Sequence, residues 1–147
     1  MSIVSKPPPK GWPRMSASVF YEQAAPAIEF LCAAFGFEVR LNVPGANGKV
    51  AHAELALGDG VVMTGDDRRD QRPLYKSPQE VGGANTCVPM FYIDDVDAHC
   101  ARARAAGATI SVEPRTQDHG PDYWADRSYE AVDPEGHRWY FVQRLRG

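Results

Sequence analysis

Met90-Phe91-Tyr92-Ile93-Asp94-Asp95-Val96-Asp97-Ala98 repeats a stretch met earlier in the same chain. An offset of 71 residues places Val19-Phe20-Tyr21 on Met90-Phe91-Tyr92, Ala27 on Ala98, Ala34 on Ala105 and Gly36 on Gly107. Further along, Gly58-Asp59-Gly60-Val61-Val62-Met63 falls on Pro134-Glu135-Gly136-His137-Arg138-Trp139, now at an offset of 76. The slip places an insertion in the second copy, between its helix and its last hairpin. A repeat of this length is one supersecondary unit used twice, and a unit so small buries too little surface to be secure alone.

Each copy reads in the order β-α-β-β-β. In the first, residues 16–21 are β-competent, and Ile28, Leu31, Cys32 and Phe35 recur at helical spacing before Gly36, a C-terminal cap. Residues 37–43 alternate as a strand, and residues 50–57 and 61–64 form a hairpin about Gly58-Asp59-Gly60. In the second copy, residues 87–93 are a strand and Asp94-Asp95-Val96-Asp97 makes an acidic helix start that suits the helix dipole. The helix runs to about Ala106, residues 108–112 are a strand, and residues 128–132 with 138–142 form the last hairpin. The insertion is 115–126. The expected fold is α+β, two tandem β-α-β-β-β modules (15–65 and 86–147) forming a curved mixed sheet around a cleft. A polar linker, 66–85, joins them and either covers the cleft or holds a short helix. Residues 1–14, with Pro7-Pro8-Pro9 and Pro13, form an extended arm, because proline lacks a donor for helix or central strand.

The 147 residues carry a formal net charge of −3, with 44% hydrophobic and 24% charged residues, ordinary for a soluble globular chain. Nothing there points to nucleic acid, whose binders show a basic face, and the Arg68-Arg69 pair reads as solvated surface. No apolar run is long enough for a membrane span. Three cysteines at irregular spacing, Cys32 and Cys100 within helices, argue against a disulfide framework, so the expected setting is cytoplasmic.

Two such modules, with Asp133-Pro134-Glu135-Gly136-His137-Arg138-Trp139 in the last turn, resemble the vicinal oxygen chelate superfamily. That group includes glyoxalase I, the bleomycin-resistance proteins, fosfomycin-resistance enzymes and extradiol dioxygenases. Residues 92–98, Gly107-Ala108-Thr109-Ile110, and Ala27-Ile28-Glu29-Phe30 followed by Phe35-Gly36-Phe37 carry the same resemblance, which spans the chain from Met15 onward. Ala51-His52-Ala53 ahead of Gly58-Asp59 is most similar to the PhnB-like branch. The resemblance implies a homodimer and, in metal-dependent members, one ligand from the first and one from the last strand of each module. Carried over four residues past each turn glycine, the last-strand positions are Thr64 and Tyr140, and the first-strand positions lie near Ser16-Ala17 and Cys87-Val88. Divalent metals need converging N, O or S donors, and this set lacks them. No metal site and no cofactor are therefore expected.

Two functional classes remain. The first binds a small aromatic or anionic molecule in the inter-module cleft without a metal, as in the bleomycin-resistance proteins. The second is a glyoxalase- or dioxygenase-type enzyme, a lyase or oxidoreductase, whose divalent metal has moved to His52, Glu54 or His119. His52 and Glu54 share a strand face and read as a general base with its orienting carboxylate, as two metal ligands, or as half-exposed surface. Strand parity puts them with Val61 and Met63, away from Thr64 and so from the cleft. The same rule groups Tyr129 with Tyr140. Tyr140 is then the leading cleft residue, a ligand-binding phenol or a filler of space left by the metal. Trp124 and Arg127 in the insertion either cap a ligand or anchor the loop and pair at the surface. His137 is expected to be a turn residue bonded to the backbone.

Overall fold

A computed structural model describes residues 5–147. The first module comprises β1 (Ala17–Ser18), α1 (Ala24–Phe35), β2 (Glu38–Pro44), β3 (Val50–Leu57) and β4 (Gly60–Thr64). The second comprises β5 (Met90–Tyr92), α2 (Val96–Ala105), β6 (Thr109–Asp118), β7 (Ala125–Val132) and β8 (Arg138–Arg146). Each module forms a four-stranded mixed sheet, ordered β1-β4-β3-β2 and β5-β8-β7-β6, with the first strand parallel to the last. This is the expected α+β fold of two β-α-β-β-β modules. The linker holds short 3₁₀ turns at Arg69–Gln71 and Pro78–Val81. No helix among the described residues is long and apolar enough to cross a membrane.

The insertion is more regular than its composition foretold. Instead of a loop over 115–126, β6 continues to Asp118 and β7 begins at Ala125, because Arg115, Thr116, Gln117 and Asp118 pair with Ser128, Arg127, Asp126 and Ala125. Only the tip, 119–124, lacks strand pairing. Of the arm, residues 1–4 lie outside the described part. Between Pro9 and Trp12 the chain turns, and Arg40 donates to the carbonyls of Lys10 and Gly11 while its guanidinium lies over the Trp12 ring.

One core serves both modules. Leu31, Phe35 and Phe37 from the first pack with Trp139 and Phe141 from the second, all essentially excluded from solvent. The Phe35 ring lies 4.9 Å from Phe141 and 5.8 Å from Trp139, so the end of α1 is built into the second sheet. There α1 stops at Gly36, whose left-handed backbone (φ 80°) turns the chain toward β2. A Cβ at Gly36 would lie 2.9 Å from the Arg102 guanidinium, which bonds the α1 carbonyls of Cys32 and Ala33.

Helix α1 has no acid in its first turn and no side-chain cap of its own. Its orphan N–H groups are met from outside. Glu135 accepts from the N–H groups of Glu22 (2.6 Å) and Gln23 (3.0 Å), and Asp66 accepts from Ala24 (2.9 Å) and, with its other oxygen, from Val50 (2.7 Å). Two buried carboxylates thus sit at the positive end of the helix dipole. Glu135 comes from the Asp-Pro-Glu-Gly turn, so the motif that marks the fold also ties the second module to the first helix. By contrast, α2 is capped locally, Asp95 accepting from Ala98 at 3.0 Å, as its acidic start foretold.

His99 closes the helix–helix seam. Its Nε2 bonds the Phe35 carbonyl at 2.8 Å and its Nδ1 lies 2.5 Å from the Tyr129 hydroxyl. A carbonyl only accepts, so Nε2 carries the hydrogen and Nδ1 accepts from tyrosine, which fixes the neutral ring. Burial lowers the His99 pKa below its ordinary value, opposed by the bond to Phe35, and Arg102 nearby lowers it further. The unfolded chain takes up a proton here below about pH 6.5, whereas the folded chain resists it. The His99 contribution is therefore present above that pH and is lost as the pH falls from there toward the folded value. Urea midpoints measured between neutrality and about pH 5 should decline, and His99→Gln should flatten that decline. An unchanged slope in the variant would place the pH dependence elsewhere.

Candidate functional site

The two hairpins differ in turn length, and this decides which side chains reach the open sheet faces. In the first, Leu57 opposes Gly60 across the two-residue turn Gly58-Asp59, so Glu54 opposes Met63 and Ala53 opposes Thr64. In the second, five residues (133–137) separate Val132 from its partner Arg138. An odd turn reverses the parity taken from the sequence. Tyr129 opposes Phe141 and Ala131 opposes Trp139 on the helix side, whereas Tyr140 opposes Glu130 on the other.

Tyr129 is thus corrected from cleft to core. It is fully buried, stacks on Phe141 at 5.3 Å and is held by His99, and burial pushes its pKa well up. Thr64 is corrected too. It is 6% exposed on the buried side of β4, and its hydroxyl is buried without a partner, although the residue borders the hollow described below. His52 and Glu54 lie on the open face with Met63, not away from it. Their side chains meet, Nε2 to Oε1 at 3.1 Å, and Arg40 stands 3.5 Å from the other Glu54 oxygen. Arg127 makes two bonds to Asp97, 2.8 and 2.7 Å, across to α2, and so pairs at the surface. His137 donates from Nε2 to the Phe20 carbonyl of the other module at 2.7 Å, the backbone role expected of it.

The open face of the second sheet carries Tyr140, whose hydroxyl donates to Ser128 at 3.0 Å. Beside it are residues that sequence reading passed over. Met90 pairs with Tyr140, and Tyr92 pairs with Val142. Arg144 donates to the Tyr92 hydroxyl at 2.7 Å, with its guanidinium 5.7 Å from the Tyr92 ring and 5.8 Å from that of Trp124. Exposures of 49% for Met90, 55% for Tyr92 and 41% for Trp124 leave an apolar, aromatic surface uncovered. Trp124 also packs against His119, 4.9 Å between ring centres. The pairing of β5 with β8 was the available signal for Met90 and Tyr92, since a first strand beside a last strand shares its face.

A hollow of about 350 Å³ lies on the open side of the first sheet, between Ser18, His52 and Met63 and the start of the linker. A second, of about 300 Å³, lies between the modules beneath residues 74–89 and reaches His137 and Trp139. Tyr140, Tyr129, Trp124 and Arg127 border neither.

Paired β-α-β-β-β modules with open sheet faces define a scaffold class that fixes the fold and leaves the chemistry to the residues on those faces. Residues 15–141 match the glyoxalase/bleomycin resistance protein/dioxygenase superfamily, and the chain belongs to it. It is 33% identical over 135 residues to uncharacterized proteins of Mycobacterium bovis and Mycobacterium tuberculosis, spanning 91% of this chain and 85% and 76% of theirs. Among solved structures it is similar to TioX from a Micromonospora species (36% identity, TM-score 0.63, 88% of this chain and 98% of that one). It also shares its fold with TnmS3, an antibiotic binding protein of a Streptomyces species (21% identity, TM-score 0.64, 90% and 97%).

In metal-dependent relatives the ligands come from the first and last strands. Here the residues paired on those open faces are Ser18 with Met63, and Met90 with Tyr140. A hydroxyl, two thioethers and a phenol do not fit a divalent cation, and no three His, Cys, Asp or Glu side chains converge among the described residues.

Proposed function

We propose that this protein binds a small planar molecule against its open sheet faces, without a metal, and that it acts as a homodimer. The observation that carries this reading is the aromatic face of the second sheet, exposed Tyr92 and Trp124 around Arg144 with half-buried Tyr140 on the same side. Contiguous exposed apolar surface on an otherwise packed domain marks a binding face. Tyr and Trp offer flat area with a polar handle, and Arg144, paired with Asp126 at 2.8 Å, adds a guanidinium plane to stack on a ring. The binding of an antibiotic by TnmS3 supports the ligand class. The internal repeat supports the dimer: the open faces of the two sheets are counterparts, so a second copy related by a two-fold axis brings the first sheet of one chain over the second sheet of the other. The three free thiols accord with a cytoplasmic setting.

The test titrates purified, EDTA-treated protein with a panel of planar aromatic antibiotics, reading tryptophan fluorescence, with sedimentation velocity for assembly. At least one compound should quench saturably, and Tyr92→Ala and Tyr140→Ala should each weaken it about tenfold at unchanged melting temperature. Sedimentation should give twice the chain mass. Binding by no compound, binding that needs added metal, or indifference to both substitutions would overturn the reading.

A further inference from the structure

We infer that the hollow on the first sheet is an oxyanion site, shaped for a planar aromatic carboxylate and bordered on one side by the first turn of the linker. The inference rests on the small-molecule reading above and adds the charge and seat of the ligand. Three arginines, Arg68, Arg69 and Arg72, border the hollow. Arg69 is committed elsewhere, donating to the Tyr21 carbonyl and pairing with Glu80. Arg68 and Arg72 are exposed, and no ion pair engages either of them among the described residues. Among the lining side chains one acid, Asp67, stands against these two cations, while Asp70 of the same turn lies outside the lining and Asp66 is held by the N–H groups of Ala24 and Val50. The side chains that line the hollow are therefore net positive on a chain whose formal charge is −3. A local field opposed to the global charge concentrates anions where it lies.

The remaining walls suit a flat ring. Phe20 and Tyr75, one from after β1 and one from the linker, stack face to face at 4.6 Å and 6° and join the hollow. Met63 offers a soft apolar contact on the sheet side. His52 adds direction. A carboxylate only accepts, so the bond to Glu54 places the hydrogen on Nε2 and leaves Nδ1 for a ligand hydroxyl. Guanidinium groups match a carboxylate in shape and charge, and a volume of about 350 Å³ is in the range of small-molecule pockets.

The test is a ¹H–¹⁵N NMR titration of the full-length protein with benzoate and, separately, with its neutral isostere benzamide. Benzoate should shift the amides of Met63, Gly65 and Arg68 saturably at millimolar concentrations, and benzamide should bind about tenfold more weakly. The Arg68→Gln/Arg72→Gln double variant, which alters only exposed side chains, should weaken benzoate about tenfold and leave benzamide unchanged. Equal binding of the two probes, indifference to the double variant, or no shift at these amides would overturn the oxyanion site. Antibiotic quenching that depends on Tyr92 and Tyr140 is read on the same preparation, so loss of the oxyanion site and loss of the broader reading are separate results.

Discussion

Replacing Asp133 with alanine is expected to lower the unfolding free energy by about 4 kcal/mol. The carboxylate is buried, and every group facing it is a donor. One oxygen accepts from the Tyr21 hydroxyl at 2.6 Å and the Trp139 indole at 3.1 Å, and the other accepts from the backbone N–H groups of Glu135 and His137 at 3.1 and 3.0 Å. Alanine leaves all four without a partner, and each orphaned buried donor costs about 1–3 kcal/mol before relaxation and water recover part of it. Asp133→Asn sharpens the test. Its amide NH₂ must face one donor pair, but the Tyr21 hydroxyl can rotate to accept, so the loss should be about 2 kcal/mol. Urea unfolding of both variants checks the order. A loss below about 1 kcal/mol for the alanine variant would mean that water replaces the carboxylate and that the network does not hold the modules together.

Phe35→Ala is expected to cost about 3–5 kcal/mol by opening a cavity where the modules meet. The ring is fully buried and lies within 6.2 Å of four others: Phe30 on its own helix, and Trp139, Phe141 and His99 from the second module. Rigid aromatic neighbours cannot all collapse into the vacated volume, which places the cost toward the upper part of the range. Phe35→Leu keeps most of the volume and should cost about 1–2 kcal/mol. Calorimetric melting with a control substitution at exposed Leu74 measures both. Equal effects of leucine and alanine would show that the tilted and stacked ring contacts, not the filled volume, hold the seam.

Much of the fold was legible because the repeat and the periodicities are local. Ile28, Leu31 and Phe35 at helical spacing, Gly36 as a left-handed cap and Asp95 as an N-cap are each set by neighbours within a few residues. The candidate site was legible only in part. Tyr140 and Trp124 were singled out, and both lie on the exposed side of the second sheet. Tyr129 was misplaced because its orientation depends on the length of the turn at 133–137, and one residue more or less in a turn inverts every side chain on the returning strand. Met90 and Tyr92 were passed over because each looks like ordinary core until the parallel pairing of β5 with β8 turns them outward. Arg68 reads as solvated surface and is exposed, but nothing in the local sequence shows that the linker folds back to border one hollow with His52 and Met63.

The sequence by itself determined the duplicated β-α-β-β-β plan, the helix ends and the family, because composition, spacing and caps act over short range. The tertiary structure decided the rest. It set the register of the second hairpin and assigned Glu135 and Asp66 to a helix that lacks its own cap. It also brought Arg68 and Arg72 to the same hollow as His52. Register and cross-module hydrogen bonds depend on where distant segments pack. That is fixed only when the whole core closes, and no window of neighbouring residues contains it.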